Sequence, residues 1–369
     1  MQLPVDVKAL IDEATDINAA RETEIAVSVY VDETAPADLV AHVRGAFAST
    51  SPQVRMQLSY LDRSFAPQVE DDIAIVVAGD SAKVGPAAKA LRAVGVPAMV
   101  VTLSPADVAA RAASGGSDIP EGDVVSPWEE GDGLGSHAAF DDAAAAALDD
   151  RMGRWIVAVC REKRLAFAIS FPFMRRPLAR DAVQATSIQN AGVGLVPLIP
   201  GADLPIMTLN QAKMVLQIAA AYGHAMDKDR IKELAAVVGS AYLCRTLARE
   251  LVEFVPVLGF AIRTGIAYGG TAALGYAVIE YFEGGENAVG VANVATRAAE
   301  GGAKLLGRLR EVAADPKSLG IVDKLGEVAP AVLDKVNEVV PVVRDTAGEY
   351  VPKIADAAAD IMSKAVAAK

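Results

Sequence analysis

The chain has 369 residues and a mass of 38.3 kDa, enough for two domains that each have a core. Hydrophobic residues make up 52% of it and aromatic residues only 5%; the excess is alanine and valine, which favours close packing of helices. The net charge of −12 and the pI near 4.9 argue against a nucleic-acid partner, because phosphate contacts need clustered lysine and arginine.

The cysteines and histidines predict no metal site. Cys160 and Cys244 lie in apolar helical segments without a CxxC pair, so we expect reduced, buried thiols. The three histidines are scattered and lack the spacing of zinc ligands. The first residues, MQLPVDVKALIDEATD, are acidic and amphipathic, unlike a signal peptide. We therefore expect a cytoplasmic protein without cofactors.

Residues 1–115 predict an α/β domain. EIAVSVYV is rich in β-branched residues, and apolar residues at helical spacing follow it, with Thr34 as the expected helix cap and Pro36 near the first turn. The segments VRMQLSY, DDIAIVVAG and VPAMVV continue the pattern of strands, the later ones alternating with helices. Such alternation predicts a parallel sheet.

The turns after these strands are where parallel sheets bind ligands. The first turn, VDETAPADL, carries Asp32 and Glu33, which would repel a phosphate, and no turn supplies the GxxxxGK[ST] phosphate loop. We therefore expect no GTP hydrolysis. An enzyme of another type, with its site around Asp32, Asp62 and Asp80, stays an open alternative.

The stretch IAIVVAGDSAKVGPAAKALRAVGVPAMVVTLSPADV resembles the later half of a Ras- or Era-like GTPase domain. Where that family reads guanine with NKxD, this chain has Thr102, Leu103, Ser104 and Pro105, with Asp107 further on. The resemblance implies a degenerate GTPase-like domain that binds no nucleotide.

A linker and an all-α hydrophobic domain are predicted next. Residues 116–140 are rich in glycine, proline and acids, as in a linker, and we expect Trp128 to pin this loop to a surface. Residues 141–284 predict helices, with Asp141 as the cap of the first.

Within the helical domain, GLVPLIPGADLPIMTLNQAKM breaks an apolar run with three prolines around one acid. We predict a corner at Pro200 and Gly201, followed by a helix capped by Asp203. A buried polar cluster with Asp203 is expected from four residues on either side: Asn190, Asn210, Gln211 and Lys213. Because the segment has no histidine and no second carboxylate, it offers no acid–base pair.

Residues 182–283 resemble the bacterial family called domain of unknown function 697. The resemblance rests on an ordered set of short motifs: Gln189-Asn190-Ala191, Pro200-Gly201-Ala202-Asp203, Leu209-Asn210-Gln211, Ala221-Tyr222-Gly223, the corner Val255-Pro256-Val257-Leu258-Gly259, and Ile279-Glu280-Tyr281-Phe282. The resemblance implies that the chain associates with the membrane, and that a GTPase domain is fused to it or acts as its partner. It implies no catalytic residues.

The best candidate for a membrane span is Thr264–Ile279, which is uncharged but shorter than the roughly 20 residues that a span needs. Arg263 and Glu280 lie at its ends. Its glycines and alanines suit tight helix contacts in protein or in lipid. A buried hairpin in a soluble bundle and insertion or peripheral dipping into the membrane both remain open.

Residues 285–369 predict an amphipathic helical tail with an 11-residue repeat, marked by Pro330, Pro341 and Pro352. Eleven residues complete about three helical turns, so one apolar stripe runs along the helix and the prolines lie opposite it. Prolines on the polar face curve a helix with its apolar side concave. Because that polar face is mostly acidic, packing on protein is favoured over anionic lipid.

The sequence as a whole predicts a non-catalytic, membrane-associated interaction or scaffold protein related to GTPase-linked bacterial proteins. The alternative is a soluble homo-oligomeric structural protein whose hydrophobic helices and tail form the subunit interface.

Overall fold

The structure, a computed structural model, describes residues 7–62, 65–128, 139–195, 203–224 and 259–284. These residues form two compact units, each described here by itself. The α/β unit comprises Ala19–Leu178 and Ala221–Gly223. The helical unit comprises the described parts of Met1–Asn18, Ala179–Ala220 and His224–Lys369.

The helices and strands follow in chain order. They are α1 (Val7–Arg21), β1 (Ile25–Val31), α2 (Ala37–Ala46), β2 (Val54–Tyr60), β3 (Ile73–Val77), α3 (Val84–Ala93), β4 (Ala98–Val101), α4 (Pro105–Ser114), β5 (Val124–Val125), α5 (Asp142–Val159), α6 (Arg164–Ser170), α7 (Arg175–Leu195), α8 (Asp203–Ala221) and α9 (Gly259–Glu283).

The five strands form one parallel sheet in the order β2-β1-β3-β4-β5. In its centre Val29 lies beside Leu58 of β2 on one side and Ile75 of β3 on the other. Strand β3 is buried along its whole length, as expected for an apolar β-branched strand that is covered on both faces. The predicted parallel α/β sheet is confirmed.

Successive residues of β3 supply two separate cores, because side chains alternate between the faces of a strand. Ile73, Ile75 and Val77 point into the first core, and Ala74 and Val76 into the second. Helices α2, α5 and α6 cover the first face, and α3 and α4 cover the second.

Helices α5 and α6 therefore belong to the sheet, although the sequence predicts a helical domain from residue 141 onwards. Leu148, Met152 and Ile156 of α5 are fully buried in the first core, together with Phe167 of α6. The α/β unit extends to Leu178 because one face of the sheet needs more apolar cover than α2 alone supplies.

Two local expectations about helix starts have different outcomes. Asp141 caps α5 as predicted, since its carboxylate accepts a hydrogen bond from the Ala144 amide at 2.9 Å. Thr34 does not cap α2, whose N-cap position is Pro36. The Thr34 hydroxyl instead serves the neighbouring loop, as described below.

Trp128 lies in the predicted linker and is expected to pin it to a surface. Its side chain is half-buried, and its backbone carbonyl accepts a hydrogen bond from Arg151 of α5 at 2.8 Å. Trp155 of α5 donates from its indole N–H to Asp123 at 3.1 Å. The first contact holds the segment after β5 against α5, and the second holds the residue just before β5 against the same helix.

The helical unit is built from α7, α8, α9 and the first part of α1. Met214, Val215 and Ile218 of α8 are buried. Glu13 of α1 accepts a hydrogen bond from Gln217 at 2.7 Å and forms an ion pair with Lys213 at 3.3 Å. Among the described helices, none is both long and apolar enough to span a bilayer.

Candidate functional site

The carboxyl edge of the sheet is centred on Asp32, which directly follows β1 and is 1% exposed. One carboxylate oxygen, Oδ2, accepts three hydrogen bonds: from the Thr34 hydroxyl at 2.7 Å, the Gly79 amide at 3.0 Å and the Ser81 amide at 3.2 Å. The carboxylate thus ties the loop after β1 to the loop after β3.

The two loops are in close contact. A Cβ atom at Gly79 would lie 2.3 Å from the backbone of Thr34, so only glycine fits there. The Thr34 hydroxyl also accepts a hydrogen bond from the Asp80 amide at 2.7 Å. The strand order reverses between β1 and β3, where doubly wound sheets bind ligands, and here the two loops pack against each other at that point.

The remaining charges at this edge lie on the surface. Lys83 donates to Glu33 at 2.5 Å, and this hydrogen bond, with the nearby negative charges, raises the pKa of Lys83. Asp80 pairs weakly with Arg111 at 3.5 Å. In the described residues no group of three or more histidine, cysteine, aspartate or glutamate side chains is arranged to hold a metal ion.

Asp32→Asn is expected to lower the free energy of unfolding by about 1–2 kcal/mol, because a neutral amide accepts hydrogen bonds more weakly than a carboxylate. Urea unfolding followed by tryptophan fluorescence measures the change. Asp80→Asn is the control, with an expected effect within about 0.5 kcal/mol, since exposed ion pairs contribute little. Equal effects of the two substitutions would contradict the assigned role of Asp32.

The second site is a buried amide cluster of Asn190 on α7, Asn210 and Gln211 on α8, and Thr271 on α9. Asn190 is fully buried and donates from Nδ2 to Thr271 Oγ1 at 2.9 Å and to the Met207 carbonyl at 3.5 Å. Its Oδ1 accepts from Asn210 Nδ2 at 2.9 Å. Gln211 Nε2 donates to Thr271 Oγ1 at 2.9 Å. The cluster therefore links three helices.

The structure brings three of the predicted residues together and leaves others apart. Lys213 does not join the amide cluster but pairs with Glu13, because it lies on another side of α8. Glu280 is exposed, further along α9 than Thr271. Thr271 was missed, because a threonine in an apolar helix gives no signal without its partners.

Helix α8 begins at Asp203 and α9 at Gly259, close to the predicted corners. The Asp203 side chain and its expected cap lie outside what the structure describes. The same holds for these predicted residues: Pro200, Gly201, Pro256, Pro330, Pro341 and Pro352.

Helix α9 also carries exposed tyrosines. Tyr268 and Tyr276 are 40% and 49% exposed, and the half-buried Ala272 lies between them at the same four-residue spacing. Residues four apart form one row along a helix. We call Tyr268, Ala272 and Tyr276 the tyrosine row; it is uncharged.

A buried carboxyl group in the α/β unit was also missed from sequence. The side chain of Asp71, just before β3, is buried and accepts a hydrogen bond from Arg55 of β2 at 3.2 Å. Burial raises the pKa of Asp71, and the Ser28 hydroxyl and the Arg55 charge offset this only in part. Burial likewise raises the pKa of the neighbouring Tyr30.

The difference in free energy of unfolding between Asp71→Asn and the original protein should shift in favour of the variant as the pH rises from about 4 to 7. The raised pKa means that the folded protein holds this proton more tightly than the unfolded chain, so ionisation costs stability as the pH rises through the folded pKa. Urea unfolding across this range measures the difference. Glu70→Gln, at an exposed position, is the control. If the free energy of unfolding of both variants, relative to the original protein, changed equally with pH, the raised pKa of Asp71 would be refuted.

Cys160 is a half-buried free thiol. Burial raises its pKa to about 12, with the Asp72 charge adding to the shift and Lys163 opposing it. Because the thiolate is the nucleophile, alkylation by iodoacetamide near pH 8 should be more than about a hundredfold slower in the folded protein than in urea. Mass spectrometry of the Cys160 peptide measures both rates, and similar rates would contradict the prediction.

Comparisons of the chain with family models, with curated proteins and with solved structures find no match. The resemblances to the domain of unknown function 697 and to Ras- or Era-like GTPases therefore rest on the sequence motifs alone.

Proposed function

We propose that this chain is a non-catalytic interaction or scaffold protein whose helical unit attaches it to the inner face of the membrane. The observation that carries the proposal is the tyrosine row. Tyr268 and Tyr276 present amphipathic rings along one side of α9, and a tyrosine ring with a polar hydroxyl suits the boundary between water and an apolar phase.

Other exposed apolar side chains of the helical unit support attachment through this unit. Ile188 of α7 is 57% exposed and Ile206 of α8 is 44% exposed. Because the chain carries a net charge of −12, an anionic membrane would not attract it electrostatically. Attachment would depend on apolar contact.

A degenerate, GTPase-related role for the α/β unit is part of the same proposal. It is supported by the use of Asp32 as a tie between loops, which places a carboxylate where a nucleotide-binding sheet would hold phosphate. A GTPase as a separate partner follows from the family resemblance. In this account the α/β unit binds a protein instead of a nucleotide.

A soluble homo-oligomeric structural protein is the second candidate. The feature in its favour is the sequence of residues 285–369, whose 11-residue repeat predicts an acidic polar face that suits protein better than anionic lipid. In that case the tyrosine row and the tail would be covered by neighbouring copies.

Cell fractionation separates the two candidates. We expect the full-length chain in the membrane pellet, retained after a wash in high salt and released by detergent, because salt screens charge but leaves apolar contacts in place. Recovery in the supernatant as an assembly of defined mass, without detergent, would support the second candidate and exclude the first.

A further inference from the structure

The outer edge of β2 is long, and no described strand pairs with it. β2 has seven residues, and within the described part of the chain only β1 pairs with it. The opposite edge strand, β5, has only two residues. A free edge presents unpaired backbone N–H and C=O groups, and short strands are one means by which proteins avoid edge pairing. β2 lacks that protection.

The described part of the connection after β2 supplies no helix over this edge. In its described residues, 61–62 and 65–72, the chain from β2 to β3 forms no helix, so a loop takes the place of a covering helix. Phe65 of this loop packs edge-on against Tyr30 at 5.0 Å between ring centroids, further in on the sheet. Arg55 and Gln57 of β2 are exposed, and Tyr60 is 60% exposed.

β2 also lacks the usual sequence features that prevent pairing. VRMQLSY contains no proline, lysine or acid. Its one charge, Arg55, is engaged with Asp71. In a chain with a net charge of −12, an edge strand without acids is a place where two copies can approach with little repulsion.

We propose that a second copy of this chain pairs antiparallel with β2, across a two-fold axis at Gln57, and joins the two sheets into one. In this register Met56 faces Leu58 of the other copy, Arg55 faces Ser59 and Val54 faces Tyr60. Apolar residues thus meet apolar or aromatic ones, and no like charges are opposed. This surface belongs to the α/β unit, whereas the tyrosine row belongs to the helical unit.

A charge exchange at Gln57 tests the pairing, because the two-fold axis places this residue opposite itself. Gln57→Lys and Gln57→Glu should each weaken the association by about a hundredfold or more, since like charges would face each other. Size-exclusion chromatography with light scattering on the full chain should show each variant at half the assembly mass of the original protein. An equimolar mixture of the two variants should restore that mass.

Ala110→Lys, at an exposed position of α4, is the matched control and should leave the mass unchanged. Circular dichroism checks that each variant is folded. If Gln57→Lys is not folded, the assembly mass of Gln57→Glu alone tests the pairing. The proposal is overturned if the original protein has the mass of a single 38.3 kDa chain. It is also overturned if both Gln57 variants keep the original mass, or if mixing them restores nothing.

Discussion

Asn190→Leu lowers the free energy of unfolding by about 3 kcal/mol, because it removes the central member of the amide cluster. Leucine has the same branching at Cγ but can neither donate to Thr271 nor accept from Asn210. Asn210 loses the acceptor of its side-chain N–H group, whereas Thr271 still accepts from Gln211. A buried polar group that is left unpaired costs about 1–3 kcal/mol. Urea unfolding followed by far-ultraviolet circular dichroism measures the loss.

A double variant tests whether the loss comes from the cluster. Thr271→Val alone removes the acceptor for Asn190 and for Gln211. In the double variant Asn190→Leu/Thr271→Val, the two former partners are both apolar, so the combined loss should be smaller than the sum of the single losses. Strictly additive losses would show that the two residues act independently.

Gly275→Ala is expected to lower the free energy of unfolding by about 2–3 kcal/mol, because α7 and α9 are in contact at this glycine. This is the second of the two largest expected effects. An added Cβ would lie 2.3 Å from a methyl group of Val183, a β-branched side chain with few alternative rotamers. Val183→Ala creates room, so the double variant Gly275→Ala/Val183→Ala should lose less than the two single variants together. Thermal unfolding followed by circular dichroism measures all three.

Gly270→Ala on the same helix is the matched control. A Cβ at Gly270 meets no atom within 4 Å, so alanine should stabilise α9 by about 0.5–1 kcal/mol, since it restricts the unfolded chain. If Gly275→Ala were as stabilising as Gly270→Ala, the close approach of α7 and α9 would be refuted.

The α/β unit could largely be predicted from the sequence, because its strands show their burial directly. The five apolar residues IAIVV predict a strand covered on both faces. The spacing of Leu39 and Val43 predicts a helix packed on one face of the sheet. The extent of the unit could not be predicted in the same way. Leu148 and Met152 of α5 suit a helical bundle as well as a sheet, and only packing decides between them.

The two sites show the same limit of sequence analysis. Asn190, Asn210 and Gln211 were expected to cluster with Asp203 and Lys213, and the three amides do so because buried polar groups need partners. The part played by Thr271 depends on how α9 packs. Asp32 was read by its charge alone, whereas its role as a tie depends on a loop that is remote in sequence.

The central claim is that the tyrosine row attaches the protein to membranes, and vesicle flotation tests it most directly. The full-length chain is mixed with vesicles of phosphatidylcholine and phosphatidylglycerol, alongside Tyr268→Ser/Tyr276→Ser and the control Val94→Ser, which changes an equally exposed residue of the α/β unit. We predict that the original protein and the control float with the vesicles, and that about tenfold less of the double variant does so. Flotation of all three alike, or of none, would contradict the account.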